Sequence, residues 1–190
     1  MKFLQHCLIL GCALTIMAPA ARAVEFKQFQ PAKSALSFVS KQMNVPVEGQ
    51  FKSFRSTIAF DPAKPAAARA ELEIDMASID AGSKDANDEV AGRVWFNTKT
   101  FPTAKFVAVS VKPLGNNRYE VAGKMTIKGK TLDLTTPVTV RLEGKAATFE
   151  GSLVIKRADY GIGEGIWADF GTVANEVQIK FRLVATATGT

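Results

Sequence analysis

The stretch VANEVQIKFRLVA, residues 173–185, alternates between two kinds of side chain with a period of two. One face is polar, and it carries Glu176, Gln178, Lys180 and Arg182. The other face is almost wholly apolar, and it carries Val173, Asn175, Val177, Ile179, Phe181, Leu183 and Ala185. A strand with one apolar and one wet face is typical of an antiparallel sheet that covers a core on one side. The stretch therefore predicts a one-sided antiparallel β-sheet.

The same alternation recurs along the chain and predicts seven further strands, at 34–41, 48–60, 71–76, 104–113, 119–128, 131–142 and 149–156. Short turn signals at 115–117, 128–130 and 143–145 favour direct hairpins between neighbouring strands. Within 48–60, Phe51 falls out of step with Phe54, Ile58 and Phe60. This slip predicts a bulge that bends the strand and helps the sheet to curl.

One helix is predicted at roughly 84–96, between the third and fourth strands, because Asp85, Asp88 and Glu89 lie where a helix dipole favours acids. Eight one-sided strands can bury their apolar faces, and lose their exposed edges, by closing into a barrel. The predicted fold is an all-β, eight-stranded antiparallel barrel with one short helix. Its interior would hold side chains or one slender ligand.

Residues 1–23 have the pattern of a secretory signal peptide. Lys2 precedes a long apolar run, and Ala21-Arg22-Ala23 forms a small-residue cleavage site. A second interpretation makes Cys12 a lipidated residue, although the apolar run continues well past it. The mature protein is expected to be a single exported domain at 24–190.

The leader contains Cys7, Cys12 and His6, which are all the cysteines and histidines of the chain. The predicted mature protein therefore cannot form disulfides or the usual imidazole and thiolate sites for zinc or copper. Ser-His-Asp and Cys-His catalysis are excluded for the same reason. We expect no metal site and no catalytic residues.

The charges give no sign of a nucleic-acid partner. Of the 24 lysines and arginines, Lys2 and Arg22 lie in the leader, and none of the 18 acids does, which leaves a net charge of +4. These charges are spread along the chain, whereas a nucleic-acid binder has a basic stripe.

Three stretches resemble ligand loops, but their spacing is wrong. GKMTIKGKT at 123–131 has one residue too many between its glycines for a phosphate loop and runs into a strand, so it predicts a hairpin. GIGEGIW at 161–167 lacks the third glycine of a dinucleotide loop. DANDE at 85–89 lacks the later glycine and glutamate of a calcium loop.

The aromatic side chains are more informative. VWFNTKTFPTAKF, residues 94–106, places four large rings around a helix end and a strand entry. A small barrel has limited room for so many rings in its core, so rings that line a tunnel for an apolar guest are a reasonable hypothesis.

The chain resembles the YceI-like family of exported bacterial proteins, which have a lipocalin-like barrel and are associated with polyisoprenoid lipids. The resemblance covers essentially the whole mature chain. It rests on SALSFVSKQMNVPVEGQF at 34–51, IAFDP at 58–62, SID at 78–80, WFNTKTFPTAKF at 95–106, YEVAGKMTIKGKTLDL at 119–134 and ADYGIGEGIWAD at 158–169. Many members have a histidine shortly after the first strand, where this chain has Lys41-Gln42.

The resemblance implies a periplasmic, non-enzymatic protein that sequesters or carries a long isoprenoid, such as a polyprenyl phosphate or a ubiquinone-like molecule. Apart from this lipid, no cofactor is expected. The tail would lie in the barrel, and Arg93 and Arg157 could meet a charged head group. The residues predicted for the tunnel wall are Phe38, Phe51, Phe54, Trp95, Phe106, Met125, Leu134, Ile155, Phe170 and Phe181.

The sequence also fits two other classes of function. With Lys41-Gln42 at this position, the chain resembles a branch of the family that is linked to membrane b-type cytochromes. The protein could therefore dock on such a cytochrome, or on a stress-response partner, without carrying a lipid. It could also form a homodimer. A hydrolase or transferase acting on lipid intermediates would need a tunnel carboxylate, for which Asp159, Glu164 and Asp169 are the candidates.

Overall fold

The computed structural model describes residues 24–187, so the predicted signal peptide at 1–23 lies outside the described residues. This part of the chain is an antiparallel sheet with one α-helix, α1 (Lys84–Ala91), and several short 3₁₀ turns. The strands are β1 (Phe26–Phe29), β2 (Ala35–Gln42), β3 (Val45–Phe51), β4 (Phe54–Ala59), β5 (Arg69–Asp75), β6 (Ile79–Asp80), β7 (Thr103–Gly115), β8 (Arg118–Ile127), β9 (Lys130–Glu143), β10 (Ala146–Lys156) and β11 (Glu176–Ala187).

All strands belong to one sheet, in the order β4-β5-β7-β8-β9-β10-β11-β2-β3-β6, and β1 pairs with β11. The alternating stretch at 173–185 forms most of β11, which pairs in continuous register with β10 from Ala146↔Thr186 to Lys156↔Glu176. The stretch GKMTIKGKT forms the β8–β9 hairpin, with Ile127 paired to Lys130. The hairpin prediction for this stretch is therefore confirmed.

β1 links two distant parts of the sheet and curls it into a barrel-like shape. One side of β1 pairs with β11 through Phe29↔Ala185. On its other side, the Phe26 N–H donates to the Phe60 carbonyl at 2.8 Å, and the Phe60 N–H donates back at 3.2 Å. Phe60 directly follows β4, the first strand in the sheet order. The apolar faces of the strands therefore enclose an interior.

The all-β antiparallel class is confirmed, but the predicted count of eight strands was wrong, because residues 24–187 contain eleven. The predicted strand 48–60 is interrupted at Lys52 and Ser53, where the phase of its apolar residues slips, and forms the separate strands β3 and β4. The other additions are β1 and the two-residue β6.

The predicted position of the helix also differs, because α1 lies between the sixth and seventh strands and is shorter than the predicted 84–96. Ser83 caps its start by accepting a hydrogen bond from the Ala86 N–H at 3.1 Å. Its last residue is Ala91, and the extended backbone of the following Gly92 (φ −66°, ψ 169°) leads the chain into tight turns. Within residues 24–187, no helix has the length and apolar character needed to cross a bilayer.

Three rings meet edge to face at the end of the interior where β1 joins Phe60. The Phe60 ring lies 5.4 Å from Tyr119 and 5.3 Å from Phe149, with interplanar angles of 88° and 89°. Edge-to-face pairs add to the stabilisation that burial of the rings gives. We refer to Phe60, Tyr119 and Phe149 as the aromatic floor.

Replacing Phe60 by alanine is expected to destabilise the protein by about 3–5 kcal/mol, because the substitution removes a buried ring and leaves a cavity. Urea unfolding measures the effect. Val109→Ala, at an exposed site on β7, is the control and should change stability by less than about 0.5 kcal/mol. A loss of under 1 kcal/mol in Phe60→Ala would show that the floor is not a packing centre.

Candidate ligand-binding interior

The interior contains two cavities, which we call the upper and lower chambers. The upper chamber, beneath α1, has a volume of about 420 Å³. The lower chamber, above the aromatic floor, has a volume of about 120 Å³. Both chambers are lined by Leu36, Ile74, Met125 and Ile179, which we call the waist. The two chambers therefore adjoin at the waist and divide the interior along its length.

Positions along the strands give the same order. On β8, Ile127 lines the upper chamber, Met125 lies at the waist, and Val121 and Tyr119 line the lower chamber. On β10, Ile155 lines the upper chamber, whereas Phe149 lines the lower one. Because alternate residues of a strand share one face, each inward side chain marks a level along the interior.

Three inward glycines lie beneath phenylalanine rings of the adjacent strands. The pairs are Gly49 with Phe38, Gly123 with Phe106, and Gly151 with Phe181. A Cβ atom on Gly151 would lie 2.3 Å from the Phe181 ring, far inside van der Waals contact. The same distance would be 2.2 Å at Gly49 and 2.5 Å at Gly123. Because these positions lack Cβ atoms, the rings can lie against the wall and leave the space beside it open.

The upper chamber has polar groups in its lining, and it opens to solvent. Ser40, Gln42, Asp85, Glu89 and Arg157 belong to this lining. Gln42, Asp85 and Glu89 are also exposed at the surface, so they mark the mouth of the chamber. The lining of the lower chamber also includes Ser56, Arg69, Glu71 and Thr136, but the atoms that face its space are almost all apolar. The interior is therefore amphipathic, with its polar end at the mouth.

The two tryptophans of the chain meet at this mouth. The Trp95 and Trp167 rings lie 5.5 Å apart. Their indole N–H groups both donate to Glu89 Oε1, at 3.2 Å from Trp95 and 2.8 Å from Trp167. Glu89 thus ties α1 to the segment that contains Trp167 and fixes one side of the opening.

Arg157 organises the segment that follows β10. Its side chain is buried, with 2% of its surface exposed. All five guanidinium N–H donors are used by backbone carbonyls. The acceptors are Ala174 at 3.1 Å, Ile162 at 2.8 Å, Gly163 at 2.9 Å, Trp167 at 2.6 Å and Val173 at 2.7 Å. One side chain therefore gathers an irregular segment around itself.

The charge of Arg157 has no carboxylate partner among residues 24–187. Its guanidinium carbon lies 5.8 Å from the centre of the Trp95 ring and 5.3 Å from that of Phe170, where cation–π attraction operates. Burial lowers the pKa of the guanidinium, but arginine remains protonated in proteins. The wall of the upper chamber therefore carries one positive charge whose donors are already occupied.

Eight of the ten predicted wall residues line the chambers. They are Phe38, Phe51, Trp95, Phe106, Met125, Leu134, Ile155 and Phe181. Phe54 lies outside both linings and packs against Phe29, with ring centres 6.1 Å apart. Phe170 is half-exposed and lies over Arg157. Of the two predicted head-group arginines, Arg157 lines the upper chamber, whereas Arg93 is exposed and outside it.

Other lining residues were not among the predicted ones. They include Leu36, Ser40, Gln42, Ile74, Glu89 and Ile179. Leu36, Ser40 and Gln42 share the parity of Phe38 on β2, so the alternation could have identified them once Phe38 was chosen. No sequence signal placed Glu89 at the mouth, because its role depends on indoles 6 and 78 residues away.

The candidate carboxylates Asp159, Glu164 and Asp169 lie on the surface, outside both chambers. Asp169 closes a turn: it accepts hydrogen bonds from the Gly171 N–H at 3.0 Å and the Thr172 hydroxyl at 2.9 Å. These bonds hold its pKa below the ordinary value. The arrangement suits a capping role and keeps the carboxylate ionised.

Comparison with known proteins identifies the family. Residues 28–185 match the YceI-like domain. The chain belongs to the YceI-like family. A UPF0312 protein of Pseudomonas putida is 30% identical over 165 residues, which cover 82% of this chain and 84% of that protein. A UPF0312 protein of Pseudomonas fluorescens is 31% identical over 144 residues, covering 70% and 71% of the two chains.

Three solved structures share the fold. BcnA of Burkholderia cenocepacia is 53% identical, with a TM-score of 0.82 over 84% of this chain and 100% of that one. A polyisoprenoid binding domain from Saccharophagus degradans, implicated in plant cell wall breakdown, is 21% identical, with a TM-score of 0.66 over 87% of this chain and 99% of that one. The Campylobacter jejuni YCEI protein is also 21% identical, with a TM-score of 0.68 over 75% of this chain and 86% of that one.

Gly151→Ala is expected to destabilise the protein by about 1–3 kcal/mol, because the new Cβ would lie 2.3 Å from the Phe181 ring and 2.8 Å from the Pro137 carbonyl oxygen and would force the ring off the wall. Gly171→Ala is the control, since its nearest atoms are carboxylate oxygens of Asp169 at 3.3 Å. Urea unfolding of both variants, of Phe181→Leu, and of Gly151→Ala combined with Phe181→Leu measures the coupling. Equal costs of Gly151→Ala with phenylalanine or leucine at position 181 would contradict the ring contact.

Arg157→Lys is expected to destabilise the protein by about 2–4 kcal/mol, because lysine has three donors in place of a five-donor fork and leaves carbonyls unpaired. Hydrogen exchange followed by mass spectrometry should show lost protection at 161–175, with β9 protected as before. Arg93→Lys, at an exposed arginine, is the matched control and should leave both measurements unchanged. Unaltered exchange at 161–175 in Arg157→Lys would contradict the organising role.

Proposed function

We propose that this protein binds the tail of a long isoprenoid lipid, without covalent chemistry, in the two chambers. The observation that carries the proposal is the open apolar interior, whose chambers of about 420 and 120 Å³ adjoin at the waist. A wall of aromatic and aliphatic side chains with few polar groups is typical of sites for apolar ligands.

The driving force would be the removal of the tail from water. Each buried CH₂ group contributes about 0.8 kcal/mol, so a long tail gains a large total without any specific polar contact. A cavity with an apolar surface, such as the lower chamber, excludes water and accepts apolar guests. The description of the Saccharophagus degradans neighbour as a polyisoprenoid binding domain supports an isoprenoid as the guest.

The distribution of polar groups orients the proposed ligand. Ser40, Gln42 and Glu89 line the upper chamber, whereas the lower chamber is almost purely apolar. A polar head group would therefore lie at the mouth, and the tail would point towards the aromatic floor. A quinone ring or a phosphate would lie at this position. Arg157 would attract a phosphate through its charge rather than through free donors, whereas the carboxylates of Asp85 and Glu89 at the mouth would repel it.

We further propose that the protein acts as an exported carrier or store for this lipid in the periplasm, as the leader at 1–23 suggests. Shielding the tail inside the sheet would let an insoluble molecule stay in the aqueous compartment. Release would require no bond to break, because burial alone holds the ligand.

A second candidate function is docking on an envelope partner, such as a membrane b-type cytochrome, or on a second copy of this chain. One observation favours it: apolar side chains are exposed near the mouth, with Met43 69%, Ile166 85% and Phe170 51% exposed. Exposed apolar groups of this kind mark interaction sites when they form a contiguous patch. The protein could both dock on a partner and carry a lipid. A measurement of prenyl-lipid binding distinguishes a protein that carries lipid from one that only docks.

Native mass spectrometry of the mature protein mixed with a C40 prenol should show a one-to-one complex. Phe106→Arg is expected to abolish the complex, because a charge in the chamber wall opposes an apolar guest. Val107→Arg is the matched control, because this neighbouring side chain points outward and is 37% exposed. Val107→Arg should bind as the wild type does.

Circular dichroism and thermal unfolding establish that both variants are folded. If folded Phe106→Arg still bound the prenol, the chambers would not be the site. If the wild-type protein bound no prenyl lipid, the carrier proposal would fail and docking alone would remain.

A further inference from the structure

The two chambers are unequal, and the side chains of the waist lie between them. The lower chamber, at about 120 Å³, has less than a third of the volume of the upper one, at about 420 Å³. A short tail would fit within the upper chamber alone. A longer tail would have to pass Leu36, Ile74, Met125 and Ile179 to reach the lower chamber.

We infer that the waist and the lower chamber select the ligand by the length of its isoprenoid tail. This inference rests on the proposed function and specifies the lipid class: prenyl chains long enough to pass the waist and short enough to end at the aromatic floor. The lower chamber adds binding free energy only for tails that enter it. The floor sets the upper limit, because tails that are longer still must leave methylene groups outside.

The waist is suited to pass a flexible chain. Three of its residues are branched and buried or half-buried, and the fourth, Met125, is 7% exposed. Methionine has an unbranched side chain that changes shape easily and fills irregular gaps. It can therefore move aside for a tail and close the gap when the tail is absent.

The floor is suited to stop a chain. Phe60 contacts Tyr119 and Phe149 edge to face, and the β1–Phe60 hydrogen bonds of 2.8 and 3.2 Å hold its backbone from behind. Two of the wall recesses, Gly123 beneath Phe106 and Gly151 beneath Phe181, lie at the level of the lower chamber. The chamber thus has recessed sides and an end formed by packed aromatic rings.

Val138 is a position at which the lower chamber can be filled by a substitution that leaves the three inward glycines in place. It lies on β9, lines the lower chamber, and pairs with Tyr119 of the floor and with Gly151. A phenylalanine at this position would occupy the space between the floor and the waist. The matched control is Val154→Phe on the neighbouring strand β10, where the side chain is 54% exposed and outside both chambers.

The experiment offers an equimolar mixture of farnesol (C15), geranylgeraniol (C20) and a C40 prenol to each protein and measures the occupancy ratio by native mass spectrometry. The wild type should favour the C40 prenol. Val138→Phe should lower the C40-to-C15 ratio at least tenfold, since losing the burial of two methylene groups already corresponds to about tenfold in affinity. Val154→Phe should keep the ratio within twofold.

Leu134→Phe is a smaller increase in volume at another wall position of the lower chamber. It should shift the ratio in the same direction, and it replaces Val138→Phe in the experiment if Val138→Phe does not fold. If folded variants bind the three prenols in the wild-type ratio, length selection by the lower chamber is overturned, while the proposed function stands. If the wild type binds none of the prenols, the proposed function itself fails.

Discussion

Phe38, Phe106 and Phe181 enter the interior from three different strands, and beneath each ring the adjacent strand has a glycine. Protein interiors normally pack to the density of organic crystals, so the inward side chains of a small curled sheet would be expected to meet and fill it. Each glycine removes the Cβ atom that would push a ring towards the centre, since that atom would lie only 2.2–2.5 Å from the ring. The rings therefore form an aromatic wall around an open space, and the chambers, their lining and their use all depend on this arrangement.

The mouth depends on a different constraint, the need to satisfy polar backbone groups in a segment with little regular structure. Carbonyls from Ile162 to Ala174 turn inward, and buried carbonyls need donors. Arg157 supplies five donors from one side chain, at distances of 2.6–3.1 Å. A neutral side chain could not do this, so the chain accepts a buried charge at the polar end of the chamber. Arg157 thus determines both the backbone structure and a positive charge at the mouth. Because its donors are occupied, this charge acts on a ligand by Coulomb attraction or repulsion and not by hydrogen bonds.

The period-two alternation was enough to predict the antiparallel sheet, the hairpin at 128–130 and part of the wall, because inward parity on a strand is a local property. It could not predict β1, which is held by Phe60 and Ala185 far along the chain, nor the division of 48–60 into two strands. Phe54 and Phe170 carry the same apolar signal as Phe106, yet they lie outside the chambers, because the bend after Phe51 and the Arg157 segment decide where they point. The waist and the glycine recesses depend on pairs of strands, which single-strand patterns do not describe.

An apolar interior discriminates poorly between similar guests, because one methylene group more or less changes the binding free energy by only about 1–3 kcal/mol. A chain that contains neither histidine nor cysteine after residue 12 also has few means of recognising a head group by strong chemistry. Selectivity must then come from where the space begins and ends. Along β8 the interior passes from Ile127 through Met125 and Val121 to Tyr119, that is, from the mouth through the waist to the floor. Packed strands and edge-to-face rings form these boundaries. The ligand property to which binding should respond most strongly is therefore the length of the tail.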